Sequence, residues 1–138
     1  MKEALKEALK AREKDEVPVG AVVVSGNRVI ARAHNLTETL NDVTAHAEMQ
    51  AITASSSYLG GKYLKDCTLY VTLEPCIMCA GALYWSQISR IVYGAPDPKR
   101  GFSFYPQTLL HPSTSVTPGI LEKECSEMLT VFFKQKRK

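Results

Sequence analysis

The sequence predicts an α/β protein, built as a three-layer α/β/α sandwich around a mixed five-stranded sheet. Runs of β-branched residues alternate with segments of helical periodicity, which favours strands covered by helices. The first two strand-like runs are joined by a short turn, so the sheet opens with an antiparallel pair and becomes mixed where helices connect the later strands. The chain has 138 residues, of which 45% are hydrophobic and 22% charged. This length and composition suit one domain over residues 1–138 with its own core.

The first half of the chain opens with an amphipathic helix and continues with a hairpin. The apolar stripe of that helix is formed by Ala4, Leu5, Ala8, Leu9 and Ala11. A polar, irregular segment follows the hairpin and leads into a second helix, for which Asp42 and Thr44 are the candidate N-caps. The predicted elements are a helix at 2–14, strands at 17–24 and 28–34 with a turn at 25–27, a loop at 35–44 and a helix at 45–57.

The second half alternates strands and helices after a break at Gly60-Gly61. Pro75 suits the first position of the helix that follows the third strand. A long segment rich in proline and glycine separates the fourth strand from the last helix, with one further strand near Ser115-Val116. The predicted elements are a strand at 67–73, a helix at 75–87, a strand at 88–93, the long segment at 94–119 and a helix at 120–136.

The net charge of +3 is concentrated at the C-terminus, where residues 134–138 carry four positive charges. The rest of the chain is close to neutral, so the basic character belongs to a tail. Such a tail can contact a polyanion or can be a solvated helix end, and both readings stay open. The chain shows no apolar run of membrane-spanning length and no secretory signal. We therefore expect a cytoplasmic protein that does not engage a membrane.

Two short clusters carry the candidate chemistry. His46-Ala47-Glu48 opens the second helix, and Pro75-Cys76-Ile77-Met78-Cys79 opens the third. Two thiolates and one imidazole form a donor set that suits zinc. Three protein ligands leave one tetrahedral position open, which is typical of a catalytic site. Both clusters lie at predicted helix N-termini, where the helix dipole stabilises a thiolate.

Glu48 is the candidate proton carrier of this site. On an ideal helix its side chain points away from His46, so it is not expected to be a fourth ligand, although an irregular first turn would bring it to the metal-bound side. Three other interpretations remain open. The site could be a structural zinc centre completed by Cys67 or Cys125, the C-x-x-C could be a thioredoxin-like redox site, or the residues could be purely structural. Cys67 and Cys125 occupy apolar periodic positions and are expected to be core thiols.

The order H-x-E followed by P-C-x-x-C is an established signature of zinc-dependent nucleobase deaminases. On these residues the chain resembles the cytidine/deoxycytidylate deaminase superfamily, and within it the bacterial tRNA-specific adenosine deaminases. The resemblance covers nearly the whole chain. It is carried by residues 17–24 (VPVGAVVV), Asn35, residues 44–48 (TAHAE), residues 72–82 (TLEPCIMCAGA) and residues 94–99 (GAPDPK).

The resemblance implies hydrolytic deamination of adenosine to inosine at the wobble position of a tRNA anticodon loop by a homodimer with one zinc ion per chain. It implies roles for nine residues and for the final helix, which would help to hold the RNA. His46, Cys76 and Cys79 would bind zinc, Glu48 would carry protons, Asn35 would bind the flipped base or its sugar, Val19 and Ala47 would line the base pocket, and Asp97 and Lys99 would approach the target nucleotide.

The chain departs from the family after Gly101, where many members have small residues and this chain has Phe102-Ser103-Phe104-Tyr105. These aromatic residues can stack on bases or pack the loop onto the sheet, and packing is the commoner use. Two alternative functions follow the same motifs: deamination of a free base or nucleoside such as guanine, cytosine or cytidine, and a non-catalytic, zinc-stabilised RNA-binding protein. Glu48 favours an enzyme, because a non-catalytic protein has no need of a carboxylate beside an open metal position.

Overall fold

Four α-helices and five β-strands form the regular structure of residues 1–137, the part of the chain that the computed structural model describes. A single 3-10 turn follows β4 at Phe102–Phe104. The elements are α1 (Lys2–Glu13), β1 (Gly20–Ser25), β2 (Arg28–His34), α2 (Ala47–Leu59), β3 (Cys67–Leu73), α3 (Ile77–Ser86), β4 (Arg90–Ala95), β5 (Ser115–Thr117) and α4 (Glu122–Lys136).

The five strands form one mixed sheet in the order β2-β1-β3-β4-β5. Strand β1 runs antiparallel to both of its neighbours, β2 and β3, whereas β3, β4 and β5 run parallel. The predicted mixed five-stranded sheet is therefore confirmed. Because β2, β3 and β4 all run in the same direction, their carboxyl ends meet at one edge of the sheet, and the loops that follow them converge there.

Helices cover both faces of this sheet and give the predicted three layers. Successive residues of β1 face opposite sides of the sheet. Ala21 and Val23 belong to the core under α2 and α3, and Gly20 faces α1. A Cβ atom at Gly20 would overlap the backbone of α1 at Ala4 and Ala8. Glycine at this position therefore allows α1 to approach the sheet closely. Within residues 1–137, no helix combines the length and the apolar character needed to cross a bilayer.

The helix α1 buries the three alanines of the predicted stripe but not its two leucines. Its buried residues are Ala4, Glu7, Ala8 and Ala11, while Leu9 is exposed and Leu5 is half-buried. Small residues face the sheet because α1 lies so close to Gly20 that leucine side chains would not fit between them. Glu7 is accommodated by hydrogen bonds with Lys10 and His34.

The starts of α2 and α3 also differ from the predictions. His46, not Asp42 or Thr44, is the N-cap of α2, and its backbone is extended, with φ −69° and ψ 153°. Asp42 instead accepts hydrogen bonds from the backbone N–H and the hydroxyl of Thr44, which closes a turn before the helix. Cys76 is the N-cap of α3, so Pro75 precedes that helix. Both clusters of candidate ligands therefore begin outside the regular helix.

Candidate active site

The loops that follow β2, β3 and β4 bring the two sequence clusters together at one edge of the sheet. Asn35 follows β2, Cys76 follows β3 after two residues, and Asp97 lies in the loop after β4. Gln50 on α2 fastens the first of these loops, since its side-chain amide donates to the backbone oxygens of His34 and Ala45. The site is thus assembled from segments up to 62 residues apart, counted from Asn35 to Asp97.

Three donor atoms form a cluster with the dimensions of a zinc site. The Nδ1 atom of His46 lies 3.5 Å from Cys79 Sγ and 3.7 Å from Cys76 Sγ, and all three atoms lie within 4.8 Å of one another. Tetrahedral zinc with ordinary Zn–N and Zn–S bond lengths places these atoms about 3.5 Å apart. The donor set and its spacing therefore fit a zinc ion.

No fourth side chain completes the cluster among residues 1–137. Cys67 and Cys125 are buried elsewhere as free thiols, which removes the structural zinc site that would have used them. A thioredoxin-like site would leave unexplained why His46 Nδ1 lies within 3.7 Å of both sulfurs, whereas a zinc site with three protein ligands explains this arrangement. The open side of the cluster is the position that a catalytic zinc site reserves for water or substrate.

The two sulfur atoms have different electrostatic surroundings. Cys76 lies where a negative charge is stabilised, whereas the hydrogen bond with Cys76 and burial raise the pKa of Cys79. Cys76 caps the N-terminus of α3, and Cys79 is in the first turn of that helix. Hydrogen bonds from the Cys79 thiol and from the His46 ring lower the pKa of Cys76 to about 3, although burial opposes this shift. Cys76 is therefore a thiolate at neutral pH, the form that binds metal ions.

Glu48 lies beside the donor cluster and is almost completely buried. Burial raises the pKa of its carboxyl group to about 7, and the positive charge of His46 opposes that rise. Because the backbone of His46 is extended, the two side chains are not separated by the angle expected within an ideal helix. Glu48 instead lies close enough to Cys79 for their side chains to interact by a hydrogen bond.

A cavity of about 640 Å³ opens next to this cluster, a size that suits a nucleoside. All of the predicted site residues except the fully buried Cys79 line it. These are Val19, Asn35, His46, Ala47, Glu48, Cys76, Asp97 and Lys99.

Asn35 has a side-chain oxygen that is available to accept a hydrogen bond from a ligand. It is buried, and its side-chain oxygen Oδ1 has no hydrogen-bond partner within the described residues. Its backbone N–H donates to Val19 at 3.1 Å, which fixes the residue at the cavity. A buried amide oxygen without a partner is unfavourable, so a ligand that donates a hydrogen bond there is stabilised.

Asp97 is engaged in shaping its loop. Its Oδ1 atom accepts hydrogen bonds from the backbone N–H groups of Lys99 and Arg100, both at 3.1 Å. This arrangement is a side-chain-closed turn, and it directs Lys99 and Arg100 to the rim of the cavity.

The sequence reasoning missed several residues that line the cavity. Arg100 and Glu74 come from the loops around the donor cluster, Phe133 comes from α4, and Arg137 is the C-cap residue that follows α4. The sequence spacing could have indicated Phe133 and Arg137. These two residues and Leu129 are spaced four residues apart, and positions with this spacing share one helical face. Phe133 is 42% exposed and lines the cavity.

The aromatic residues after Gly101 do not line the cavity. Phe102 packs edge-on against Tyr93, with 6.0 Å between ring centroids, as the packing interpretation predicts. Phe104 and Tyr105 are exposed. The other two histidines form hydrogen bonds away from the cavity. His34 on β2 interacts with Glu7 on α1, and His111 interacts with Ser113 in the same loop.

A three-donor zinc cluster with an open side, a buried carboxyl group beside it and a cavity of nucleoside size define a zinc-dependent deaminase. Residues 1–95 match the family described as the cytidine and deoxycytidylate deaminase zinc-binding region. The chain belongs to this family. Relatives that are 39–51% identical over 99–100% of the chain place it in the group of tRNA-specific adenosine deaminases.

Three relatives illustrate this similarity. The tRNA-specific adenosine deaminase of Bacillus subtilis (strain 168) is 51% identical over 143 residues, covering 100% of this chain and 89% of the relative. A structure solved in a study of A-to-I editing by tRNA:A34 deaminases at the wobble position is 48% identical, with a TM-score of 0.88 over 94% of this chain and 97% of that one. A guanine deaminase structure from Bacillus subtilis is 40% identical, with a TM-score of 0.66, and covers 69% of this chain and 61% of that one.

Proposed function

We propose that this protein converts adenosine to inosine at the wobble position of a tRNA anticodon loop. One observation carries the proposal: a buried carboxyl group, Glu48, adjoins the three zinc donors at a cavity of about 640 Å³ with cationic side chains at its rim. The cavity is large enough to hold one nucleoside, and the cations suit the phosphates on either side of it.

Glu48 is proposed to carry the protons of the reaction. Zinc, when held by His46, Cys76 and Cys79, activates water and polarises the reacting centre. The Glu48 carboxylate accepts a proton from the attacking water and delivers it to N1 of adenine, which makes C6 more electrophilic. It then takes the second water proton from the hydroxyl group formed at C6 and transfers it to the amino nitrogen, which leaves C6 as ammonia while the oxygen stays on C6 as a carbonyl. Water thus supplies the oxygen of inosine.

Asn35, Val19 and Ala47 are proposed to hold the base. The unpartnered Oδ1 atom of Asn35 accepts a hydrogen bond from the base or its sugar. Val19 and Ala47 are apolar, buried and part of the cavity wall, so they provide a surface for the flat faces of adenine. An anticodon loop is already single-stranded, so little unstacking is needed to deliver its base.

Lys99, Arg100 and Arg137 are proposed to contact the RNA backbone, because all three line the cavity. Arg137 belongs to the basic tail, whereas Lys138 lies outside the described residues. Lys136 pairs with Asp15 at 2.5 Å. With the rest of the chain near neutral, this small group of cations suits a short hairpin and not a long duplex.

We also propose that the whole chain acts as one deaminase domain, that it forms a homodimer, and that it works in the cytoplasm. Exposed apolar side chains on α3 support the dimer: Trp85 is 76% exposed and Ile77 is 50% exposed. An apolar surface of this kind is typical of a protein–protein contact.

The test is to incubate the purified protein with a stem-loop RNA that has adenosine at the wobble position. Parallel reactions contain free adenosine, cytidine, cytosine and guanine, and Glu48→Gln serves as the matched inactive variant. Inosine formed in the RNA alone supports the proposal. Product from a free base or nucleoside alone contradicts it and favours a salvage deaminase. Guanine is the most informative of these because of the guanine deaminase relative. Zinc binding without any product favours the non-catalytic alternative.

A further inference from the structure

We propose that Glu74 is a positioning residue for this reaction. It holds the loop of residues 96–103 against the segment that contains the zinc donor Cys76. This contact fixes the position of the cavity wall formed by the loop before RNA binds. The inference rests on the proposed function in one respect, namely that this wall contacts the RNA.

Glu74 is buried, with 2% of its surface exposed, and both of its carboxylate oxygens are used. Oε1 accepts a hydrogen bond from the backbone N–H of Asp97 at 3.0 Å, and Oε2 accepts one from the backbone N–H of Ser103 at 2.9 Å. These two residues lie near the start and at the end of the loop. One side chain therefore fixes both ends.

The backbone around Glu74 completes the attachment. The backbone N–H of Glu74 donates to Ala95 at 2.9 Å, and that of Phe102 donates to Pro75 at 3.0 Å. Cys76 and Gly101 pair as an isolated antiparallel bridge. Because Cys76 lies only two residues after Glu74, the position of the loop is coupled to the position of the zinc donor.

This arrangement requires a residue without a side chain at position 101, and Gly101 meets that requirement. Its backbone conformation, φ −64° and ψ 144°, is one that any residue adopts. A Cβ atom there would nevertheless overlap the carboxyl group of Glu74. Glycine is therefore needed at this position to make room for Glu74.

The loop fixed in this way provides one wall of the cavity. Asp97, Lys99 and Arg100 all line the cavity, and the turn closed by Asp97 depends on the backbone that Glu74 holds. Since both Glu74 oxygens are occupied by backbone N–H groups, Glu74 is not placed to move protons. Its role is to pre-organise the wall, which reduces the ordering needed when RNA binds.

The variant Glu74→Gln tests this role with little change of shape. A glutamine side chain has one accepting oxygen, so one of the two loop N–H groups faces an amide nitrogen and loses its partner. We expect faster amide hydrogen exchange in residues 96–104 and a KM for the stem-loop RNA raised about tenfold, the effect of losing one hydrogen bond to a charged group. We expect kcat to change less than about twofold, because the proton path is intact. Zinc content stays at one per chain.

A second variant and a control keep the test decisive. Gly101→Ala leaves Glu74 in place but forces the loop away from it, so it should give the same exchange pattern and the same rise in KM. Glu7→Gln removes a buried carboxylate that also accepts two hydrogen bonds but does not line the cavity. It should lower stability without changing exchange in residues 96–104 or KM.

Two results would overturn the inference. One is a loop that exchanges at the wild-type rate in both Glu74→Gln and Gly101→Ala. The other is a fall in kcat with unchanged KM, which would assign Glu74 to the chemical step. Failure of the proposed function looks different: wild-type protein would then form no inosine in RNA, while the exchange measurement would still decide whether Glu74 holds the loop.

Discussion

Replacing Asn35 by leucine should make the protein more stable and less active. The Oδ1 atom of Asn35 is buried without a hydrogen-bond partner in the described residues, and such an atom destabilises the folded state by about 1–3 kcal/mol. Leucine has the same branching and no polar atom, so Asn35→Leu removes this penalty. In a domain of this size, 1 kcal/mol corresponds to about 3–5 °C in Tm. The expected rise in Tm is therefore at least about 3 °C.

The activity of Asn35→Leu on the stem-loop RNA should decrease. If Oδ1 accepts a hydrogen bond from the nucleotide, its loss should lower kcat/KM for the stem-loop RNA by about 10- to 100-fold. Thermal unfolding is measured at fixed protein concentration with saturating zinc, because a bound metal ion raises Tm by mass action. Steady-state kinetics on the same preparations give kcat/KM.

Ser55 provides a matched control for this pair of measurements. Its hydroxyl oxygen is also buried without a partner in residues 1–137, but the residue lies on α2 and does not line the cavity. Ser55→Ala should raise Tm, helped by the higher helix propensity of alanine, and should leave kcat/KM unchanged. The reasoning is refuted if Asn35→Leu lowers Tm while Ser55→Ala raises it, or if Asn35→Leu retains full activity.

Three further predictions concern two residues of the site and one buried carboxylate outside it. Glu48→Gln should lower kcat by at least about 100-fold while zinc content stays near one per chain. Retention of turnover would remove Glu48 as the proton carrier. Arg137→Gln should reduce the slope of log Kd against log salt for stem-loop RNA by about 0.7, the value for one phosphate contact. An equal change in Lys62→Gln, which lies away from the cavity, would contradict this. Burial alone would raise the pKa of Glu16, but hydrogen bonds from Thr39 and neighbouring residues outweigh it and hold the pKa below 4.5. Glu16 should therefore stabilise the fold above about pH 4.5, and this contribution should disappear as the pH falls through the lowered pKa. Unfolding of Glu16→Gln and wild type compared from pH 7 to pH 3 checks this, and a stability difference that does not shrink as the pH falls would contradict it.

The local sequence was sufficient to predict the strands and the zinc donors. β2 and β3 have the predicted bounds, 28–34 and 67–73, because runs of β-branched residues between turn-forming segments restrict the backbone locally. The donor set could be predicted because His46, Cys76 and Cys79 have the residue types and spacing that zinc requires, and these do not depend on how the segments approach each other.

Local patterns failed where a neighbouring segment decided the outcome. Leu5 and Leu9 match an amphipathic stripe, but the close approach of α1 to Gly20 favours alanine at the contact. Asp42 and Thr44 are good N-caps by residue type, yet His46 occupies that position with an extended backbone. That conformation places Glu48 beside Cys79, an arrangement that the angle between positions in an ideal helix does not predict.

The sequence by itself determined the fold class, the order of elements and the three residues of the donor cluster, since each depends on residue type and short-range periodicity. Only the tertiary structure decided that Asn35 keeps an unpartnered oxygen, that Glu74 holds the loop of Asp97, and that Arg137 reaches the cavity. These features arise between segments that are distant in the chain. They are formed where the carboxyl ends of β2, β3 and β4 meet, and strand order and helix packing fix that place.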